Sequence, residues 1–213
     1  MTRALDKVLI ADDHPIIVLA LSEMFGTWLG RQPARVQTVT HADALLECLS
    51  SHAWECLILD MYMPGRLRSV PLLEAALQLQ PRLRTMVYTG TVTPCLALAA
   101  LEAGALAYVS KASGPEVVIQ ALSAVAEGNT FVDPAIDLEQ ARDHPWYRLT
   151  PGERAIVIAL ARGEHLQGIA MDSGRSYKTI TTHKYNALRK LGLRSKEEIG
   201  HYLVRAGLSY LLD

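Results

Sequence analysis

The stretch KVLIADDHP, residues 7–15, decides the fold. It starts with an apolar run typical of a buried strand, continues with two acids, and reaches Pro15, where a segment of helical period begins. Further along the chain, short Val/Ile/Leu-rich runs alternate with helical segments as far as Glu127. This alternation predicts an α/β domain: a doubly wound, five-stranded parallel sheet with helices on both faces.

The predicted elements follow from this alternation. In the first helix, Ile16, Leu19, Ala20 and Met24 could share one apolar side. The predicted strands span 7–11, 35–40, 56–59, 83–89 and 107–109, and the predicted helices span 15–28, 42–50, 71–80, 94–103 and 116–127.

Composition excludes several classes of protein. Half of the 213 residues are apolar and 20% are charged, and 14 Gly and 10 Pro are too few for a collagen-like or disordered chain. The N-terminus reaches Asp12 and Asp13 too soon for a signal peptide or a membrane span. The three cysteines show no Cys-x-x-Cys spacing, so we expect reduced core residues. We therefore expect a cytoplasmic protein without a membrane partner.

The charge divides the chain in two. Residues 1–147 carry 10 Lys+Arg against 16 Asp+Glu, and residues 148–213 carry 11 against 6, so a net −6 precedes a net +5. Segment 128–147 lacks apolar periodicity and contains Pro134 and Pro145, which predicts a linker. The domains are therefore predicted at 1–127 and 148–213, and the basic second domain suggests a polyanionic partner.

The second domain is predicted to be entirely helical. Thr150 and Glu153 have the spacing of a capping box around Pro151, which marks the first helix. The helices are predicted at 153–162, 166–172, 177–191 and 196–206, and glycines 163, 174 and 192 follow three of them.

Acids and their potential partners follow four strands of the predicted sheet. Because parallel strands end at one edge, their side chains should converge there. Three crowded carboxylates need a hard cation such as Mg²⁺, while a hydroxyl and an ammonium would grip a phosphoryl group that one carboxylate attacks. The predicted site consists of Asp12, Asp13, Asp60, Thr89 and Lys111.

Each of these residues also has a simpler interpretation. Asp12 and Asp13 precede Pro15 and could cap the following helix. Asp60 could be a turn residue, Thr89 could be a strand terminus beside Gly90, and Lys111 could be a solvated lysine. The joint placement at successive strand ends favours the site.

The motifs around these residues resemble the receiver domain of two-component response regulators. The similarity covers about the first three fifths of the chain. It is carried by residues 11–15 (ADDHP), 60–65 (DMYMPG), 89–90 (TG) and 102–111, which end in YVSK.

The resemblance implies a flavodoxin-like receiver fold and a non-enzymatic signalling role. Asp60 would accept a phosphoryl group from a sensor histidine kinase or phosphotransfer protein. The further implied roles are Mg²⁺ ligation by Asp12, Asp13, Asp60 and the Tyr62 carbonyl, a phosphate clamp by Lys111, and a switch pair formed by Thr89 and Tyr108. The loop 66–71 departs from the family by adding Arg66 and Arg68 beside the phosphorylation site.

The predicted helix 177–191 has a polar, cationic face. A short helix and a tight turn at 173–176 precede it, with Ser176 as its N-cap, which is the layout of a helix-turn-helix. An exposed face of a small bundle explains the same pattern equally well. The face is formed by Lys178, Thr181, Thr182, Tyr185 and Arg189.

The domain as a whole is similar to the LuxR-type DNA-binding domain of NarL/FixJ regulators. The similarity is carried by residues 149–154 (LTPGER), 160–163, 169–170, 179–183 and 188–193. The sequence of residues 175–180 resembles RcsB-like regulators. The LuxR-type resemblance implies that Thr181, Thr182 and Tyr185 face base edges, and that Lys178, Thr179, Lys184 and Lys190 meet phosphates.

The two resemblances together predict a DNA-binding response regulator. Phosphorylation would drive homodimerisation and binding to double-stranded DNA at promoters. One alternative is a regulator that acts without phosphate. The other is a phosphohydrolase with Asp60 as transient nucleophile, although Tyr62 stands where such an enzyme needs a second, general-acid aspartate.

Overall fold

The computed structural model describes residues 5–28 and 35–212. The chain divides into two compact units, Met1–Val92 with Ala97–Ile136, and Thr93–Leu96 with Asp137–Asp213. No helix within the described residues is long and apolar enough to cross a membrane.

The first unit is a parallel α/β sheet with the strand order β2-β1-β3-β4-β5-β6. Its strands are β1 (Lys7–Ala11), β2 (Arg35–Val39), β3 (Cys56–Leu59), β4 (Arg84–Thr89), β5 (Ala107–Ser110) and β6 (Phe131–Val132). Its helices are α1 (Pro15–Trp28), α2 (Ala42–Ser51), α3 (Ser69–Leu79), α4 (Pro94–Glu102) and α5 (Pro115–Glu127). The predicted doubly wound fold is confirmed.

The predicted number of five strands is wrong, because β6 adds a sixth. It pairs with β5 through Ala107↔Phe131 and Tyr108↔Val132. A strand of two residues has no measurable period, so only its pairing partner reveals it. The segment 128–147, predicted as a linker, therefore contains β6 as well as α6 (Leu138–Asp143) and a 3₁₀ helix, Pro145–Arg148.

Helix α1 packs on the sheet by a different side from the one suggested by the sequence. Leu21 and Phe25 are buried in the core, while Ile16 is 81% and Leu19 is 65% exposed. Helix α1 is apolar over most of its length, so no polar stripe indicates which side faces solvent. The three cysteines are buried and free, as expected.

The second unit is a small helical bundle, and the helix Tyr177–Leu191 carries the predicted cationic face. Thr150 and Glu153 form the predicted capping box, and glycines 163, 174 and 192 adopt positive φ angles after three helices. Side chains of the later helices, among them Ile156, Leu188 and Leu203, form its core. The helices are α7 (Pro151–Ala161), α8 (Leu166–Ser173), α9 (Tyr177–Leu191) and α10 (Ile199–Arg205), with 3₁₀ turns at Lys196–Glu198 and Ser209–Leu212.

Candidate functional site

The carboxyl ends of β1, β3 and β5 bring two acids and a lysine together. Asp12 and Asp60 are only 2% and 4% exposed. The Lys111 Nζ lies 2.7 Å from Asp60 Oδ2 and 2.8 Å from Asp12 Oδ2. Burial lowers the pKa of Lys111, but the two carboxylates outweigh it and raise that pKa above its usual value. The lysine therefore stays charged and offsets the repulsion between two buried acids.

The same edge of the sheet offers a set of metal ligands. Asp12, Asp13, His14 and Asp60 each have one potential ligand atom within 4.8 Å of the others. Carboxylate oxygens suit Mg²⁺, and the more exposed Asp13 and His14 leave one side of the cluster open to the waters that this ion keeps. The Tyr62 backbone N–H lies 3.3 Å from Asp60 Oδ1, so this residue adjoins the cluster, and ligation by its carbonyl stays a prediction.

His14 belongs to this cluster and was missed by the sequence analysis. Its Nδ1 lies 2.9 Å from Asp13 Oδ1 and 3.0 Å from Asp12 Oδ1. The His14 backbone N–H also bonds Asp12 Oδ1 at 2.9 Å, just before α1. Asp12 thus takes part in the cluster and also satisfies a backbone donor at the start of the helix. The sequence signal was the position of His14 directly after the paired acids.

The predicted switch pair is buried and shares one neighbour. Thr89 and Tyr108 are both fully buried. The Thr91 N–H lies 3.3 Å from Thr89 Oγ1, and the Tyr108 hydroxyl donates to the Thr91 carbonyl at 2.7 Å. Burial raises the pKa of Tyr108, so its hydroxyl stays a donor. The tyrosine ring is buried in this structure, and a switching role for the pair stays a prediction.

In the second unit, α9 presents an exposed polar face. The Ser176 side chain accepts a hydrogen bond from the Thr179 N–H at 3.1 Å, which makes it the predicted N-cap. The apolar side chains Ile180, Leu188 and Leu191 turn inward. The exposed residues among those predicted to contact DNA are Ser176, Lys178, Thr179, Thr182, Tyr185, Arg189 and Lys190.

Of the residues predicted to contact DNA, two lysines make contacts within the unit and one threonine hydroxyl is buried. The Lys190 Nζ bonds Glu153 Oε2 at 2.7 Å and the Arg148 carbonyl at 3.3 Å. The Lys184 Nζ lies over the ring of Tyr185, 4.6 Å from its centroid. The Thr181 hydroxyl is buried, with no hydrogen-bond partner among the described residues. The contacts of Thr181 and Lys184 with DNA stay predictions, whereas the ion pair with Glu153 favours a structural role for Lys190 over the predicted phosphate contact.

Glu153 explains the position of Lys190. This carboxylate is 3% exposed and accepts a hydrogen bond from the Thr150 N–H at 2.8 Å. Burial raises the pKa of Glu153, but its bonds to Lys190 and Thr150 outweigh burial and hold that pKa below its usual value. The contact between Glu153 and Thr150 was predicted from the capping-box spacing. The contact with Lys190 was not, because the lysine lies 37 positions away in sequence.

A doubly wound sheet with an acid-and-lysine cluster at its strand ends, followed by a helix-turn-helix, is the architecture of a DNA-binding response regulator. Family comparisons agree with this class. The response regulator receiver domain matches residues 8–123, and the luxR family of bacterial regulatory proteins matches residues 147–203. The chain therefore belongs to the response regulators with a LuxR-type DNA-binding domain, which confirms the NarL/FixJ-type assignment.

Known regulators are similar over nearly their whole length. The transcriptional regulatory protein UhpA of Salmonella typhimurium is 32% identical over 199 residues, which cover 91% of this chain and 95% of UhpA. The response regulator GacA of Pseudomonas aeruginosa is 27% identical over 213 residues, covering 95% and 97%. RcsB from Salmonella enterica serovar Typhimurium, bound to promoter rprA with the phosphomimetic BeF₃⁻, is 27% identical with a TM-score of 0.64, covering 96% of each chain.

Proposed function

We propose that this protein regulates transcription in response to phosphorylation of Asp60 by a sensor histidine kinase or phosphotransfer protein. The observation that carries the proposal is the position of Asp60: its carboxylate is 4% exposed and bonds the Lys111 ammonium at 2.7 Å. A buried acid with a cation beside it is arranged to receive a group that brings new negative charge.

The transfer needs a nucleophile and groups that bind the developing charge. A carboxylate oxygen of Asp60 attacks the donor phosphorus, and the bond from phosphorus to the donor breaks with its electron pair leaving on the donor. Lys111 exchanges its contact with Asp60 for a phosphoryl oxygen, and the Thr89 hydroxyl offers a further donor. Asp12, Asp13 and Asp60 would hold Mg²⁺, which supplies positive charge to the phosphoryl oxygens.

The exposed face of α9 would enter the major groove of double-stranded DNA. Lys178 and Arg189 present cations there, while Thr182 and Tyr185 offer a hydroxyl and an aromatic ring. RcsB bound to promoter DNA, with the same order of domains, supports this proposal. Because bacterial promoters lie in the cytoplasm, the protein would act there.

Phosphorylation would act by pairing two copies. A homodimer presents two copies of α9, which can read half-sites about 34–36 Å apart, one turn of DNA. RcsB dimers bound to two parallel DNAs, 27% identical to this chain with a TM-score of 0.66, support the pairing.

The proposal is tested by DNA binding over a series of salt concentrations. The wild type, Asp60→Ala and the matched control Glu74→Ala are incubated with Mg²⁺, with or without acetyl phosphate. Glu74 is an exposed acid of α3 outside the cluster. We expect acetyl phosphate to raise the DNA affinity and the dimer fraction of the wild type and the control, but not of Asp60→Ala.

The alternatives give different results. Equal, salt-dependent DNA affinity for all three proteins, whatever the donor, would identify a regulator that works without phosphate. Continuous release of phosphate from acetyl phosphate with no DNA binding would identify a phosphohydrolase. Either result would contradict the proposed switch.

A further inference from the structure

Asp133 is a buried carboxylate that directly follows β6. It is 2% exposed, and both of its oxygens accept hydrogen bonds. Oδ1 accepts the Ala135 N–H at 2.9 Å. Oδ2 accepts the Ser110 N–H at 3.0 Å and also the Ser113 hydroxyl. Burial raises the pKa of Asp133, but these donors outweigh burial and lower it, so the group is charged at neutral pH.

The two serines bracket Lys111 in sequence. Ser110 is the last residue of β5, and Ser113 ends the turn that carries the lysine. The turn is closed by a bond from the Ser113 N–H to the Ser110 carbonyl at 3.1 Å, and by one from the Ala112 N–H to Ser110 Oγ at 3.1 Å. Asp133 therefore accepts hydrogen bonds from both ends of the turn that carries Lys111.

The backbone alone leaves this turn attached to the sheet mainly on one side. The Lys111 N–H bonds the Thr89 carbonyl of β4 at 2.9 Å. On the other side, β6 has only two residues, and its ladder is extended by one bond from the Asp133 N–H to the Tyr108 carbonyl at 3.0 Å. The Asp133 side chain continues that attachment past the end of the ladder to the turn itself.

The position of Lys111 is a demanding one. Its Nζ lies 2.7 Å from Asp60 Oδ2 and 2.8 Å from Asp12 Oδ2, and its side chain is only 13% exposed. A displacement of about 1 Å in a group that must meet the transition state can cost about 100-fold in rate. Whatever fixes the turn therefore contributes to the chemistry.

We propose that Asp133 is a positioning residue that holds the Lys111 turn in place for phosphoryl transfer to Asp60. This inference rests on the proposed phosphoacceptor function. It adds a residue outside the acidic cluster, from the segment that leads out of the sheet unit.

The experiment compares phosphorylation of Asp133→Ala, Ser113→Ala and wild type by acetyl phosphate at saturating Mg²⁺, followed by intact mass. The matched control is Asp137→Ala, since Asp137 is also a carboxylate that caps backbone donors, Glu139 N–H at 3.0 Å and Gln140 N–H at 3.1 Å, but is exposed. All rates are measured at a temperature where circular dichroism shows each variant folded.

We expect the maximal rate to fall about tenfold in Asp133→Ala, and less in Ser113→Ala, with the acetyl phosphate concentration at half-maximal rate unchanged. The Asp137→Ala rate should equal that of wild type. A merely structural role would leave the rate of folded Asp133→Ala unchanged, which would overturn the proposal. If Asp133→Ala does not fold, an unchanged maximal rate in Ser113→Ala overturns it.

A double-mutant cycle with Lys111→Ala shows whether the effect passes through the lysine. If it does, Asp133→Ala causes no further loss when Lys111 is already removed. Equal losses in both backgrounds would overturn the proposal. Failure of the wild type to take up phosphate would instead contradict the proposed function, so the two failures are distinguishable.

Discussion

The acidic site of the sheet unit and the cationic face of α9 are built in opposite ways. Asp12 and Asp60 are buried, and both bond the Lys111 ammonium, which links the ends of β1, β3 and β5. On α9, Lys178, Thr182 and Arg189 point to solvent. The first region is a mostly buried network of charges held within the unit. The second is an open surface of cations and hydroxyls.

This difference shows how the side chains of each region are positioned. A reacting centre needs charges fixed within a fraction of an ångström, and the protein achieves this by burial and by backbone ties such as that from Asp60 N–H to the Ala11 carbonyl, 2.8 Å. A nucleic-acid surface can leave its side chains free, because the partner supplies the charges that order them.

Removal of the shared ammonium should have the largest effect. We expect Lys111→Ala to slow phosphorylation of Asp60 by acetyl phosphate about 100-fold, because a preorganised donor to the developing charge is lost. The measurement is intact mass against time at saturating Mg²⁺. Lys7→Ala, which removes an exposed lysine of β1, is the control and should behave as wild type. An unchanged rate in Lys111→Ala would show that the buried network is not needed for transfer.

Two lysines of α9 should differ in their roles, because one is exposed and the other is paired with a buried acid. Lys178→Ala should weaken binding to all DNA sequences and reduce the slope of log affinity against log salt by about one. Lys190→Ala should leave that slope unchanged and lower the free energy of unfolding by about 1–2 kcal/mol, because buried Glu153 loses its partner. Salt-titrated binding and urea unfolding measure the two effects. A reduced slope in Lys190→Ala would place this lysine on DNA instead.

The contribution of the Glu153–Lys190 ion pair to stability should depend on pH through the titration of Glu153. Its folded pKa lies below the unfolded value of about 4.3, so its stabilisation is complete above that pH and is lost as the pH falls through the folded pKa. The difference in unfolding free energy between wild type and Glu153→Gln should therefore shrink from pH 6 to pH 3. A difference that stays constant would contradict the ion pair.

A smaller effect is expected at Ser69, the first residue of α3, where the loop after Asp60 ends. Ser69 is fully buried at φ 54°, where a side chain is strained, and its hydroxyl has no partner among the described residues. We expect Ser69→Gly to raise the free energy of unfolding by about 1 kcal/mol. Ser69→Ala, which keeps the strain, should be less stable than Ser69→Gly in urea unfolding. The reverse order would contradict a strained loop.

The smallest effect concerns Gly90, which follows Thr89. A Cβ at Gly90 would meet no atom within 4 Å, so alanine fits without disturbing the site. We expect Gly90→Ala to lose its phosphoryl group about twofold more slowly, since alanine reduces backbone freedom and access of water. The decay of intact mass after removal of acetyl phosphate measures this, and equal decay rates would contradict it.

The sequence could predict the convergence of the site because strand ends are dictated by topology. Once the alternation of strands and helices is recognised, Asp12, Asp60 and Lys111 must meet at one edge. Local rules predicted the Thr150–Glu153 capping box and the glycines that end helices in the same way. These features depend on neighbours in sequence or on the order of elements.

Features that depend on distant side chains could not be predicted. Lys190 lies 37 residues from Glu153, and Asp133 lies 20 residues from Ser113, with no periodic pattern linking either pair. The outward side of α1 was equally invisible, since Ile16 and Leu19 are as apolar as the residues that pack inward. Such contacts are decided by packing and by which buried charges need partners.

The central claim is tested most directly by locating the phosphoryl group after incubation with acetyl phosphate and Mg²⁺. Intact mass should show one added phosphoryl group in wild type and none in Asp60→Ala, and peptide mapping of the wild type should place it on Asp60. Modification at another residue, or equal modification of the two proteins, would contradict the account.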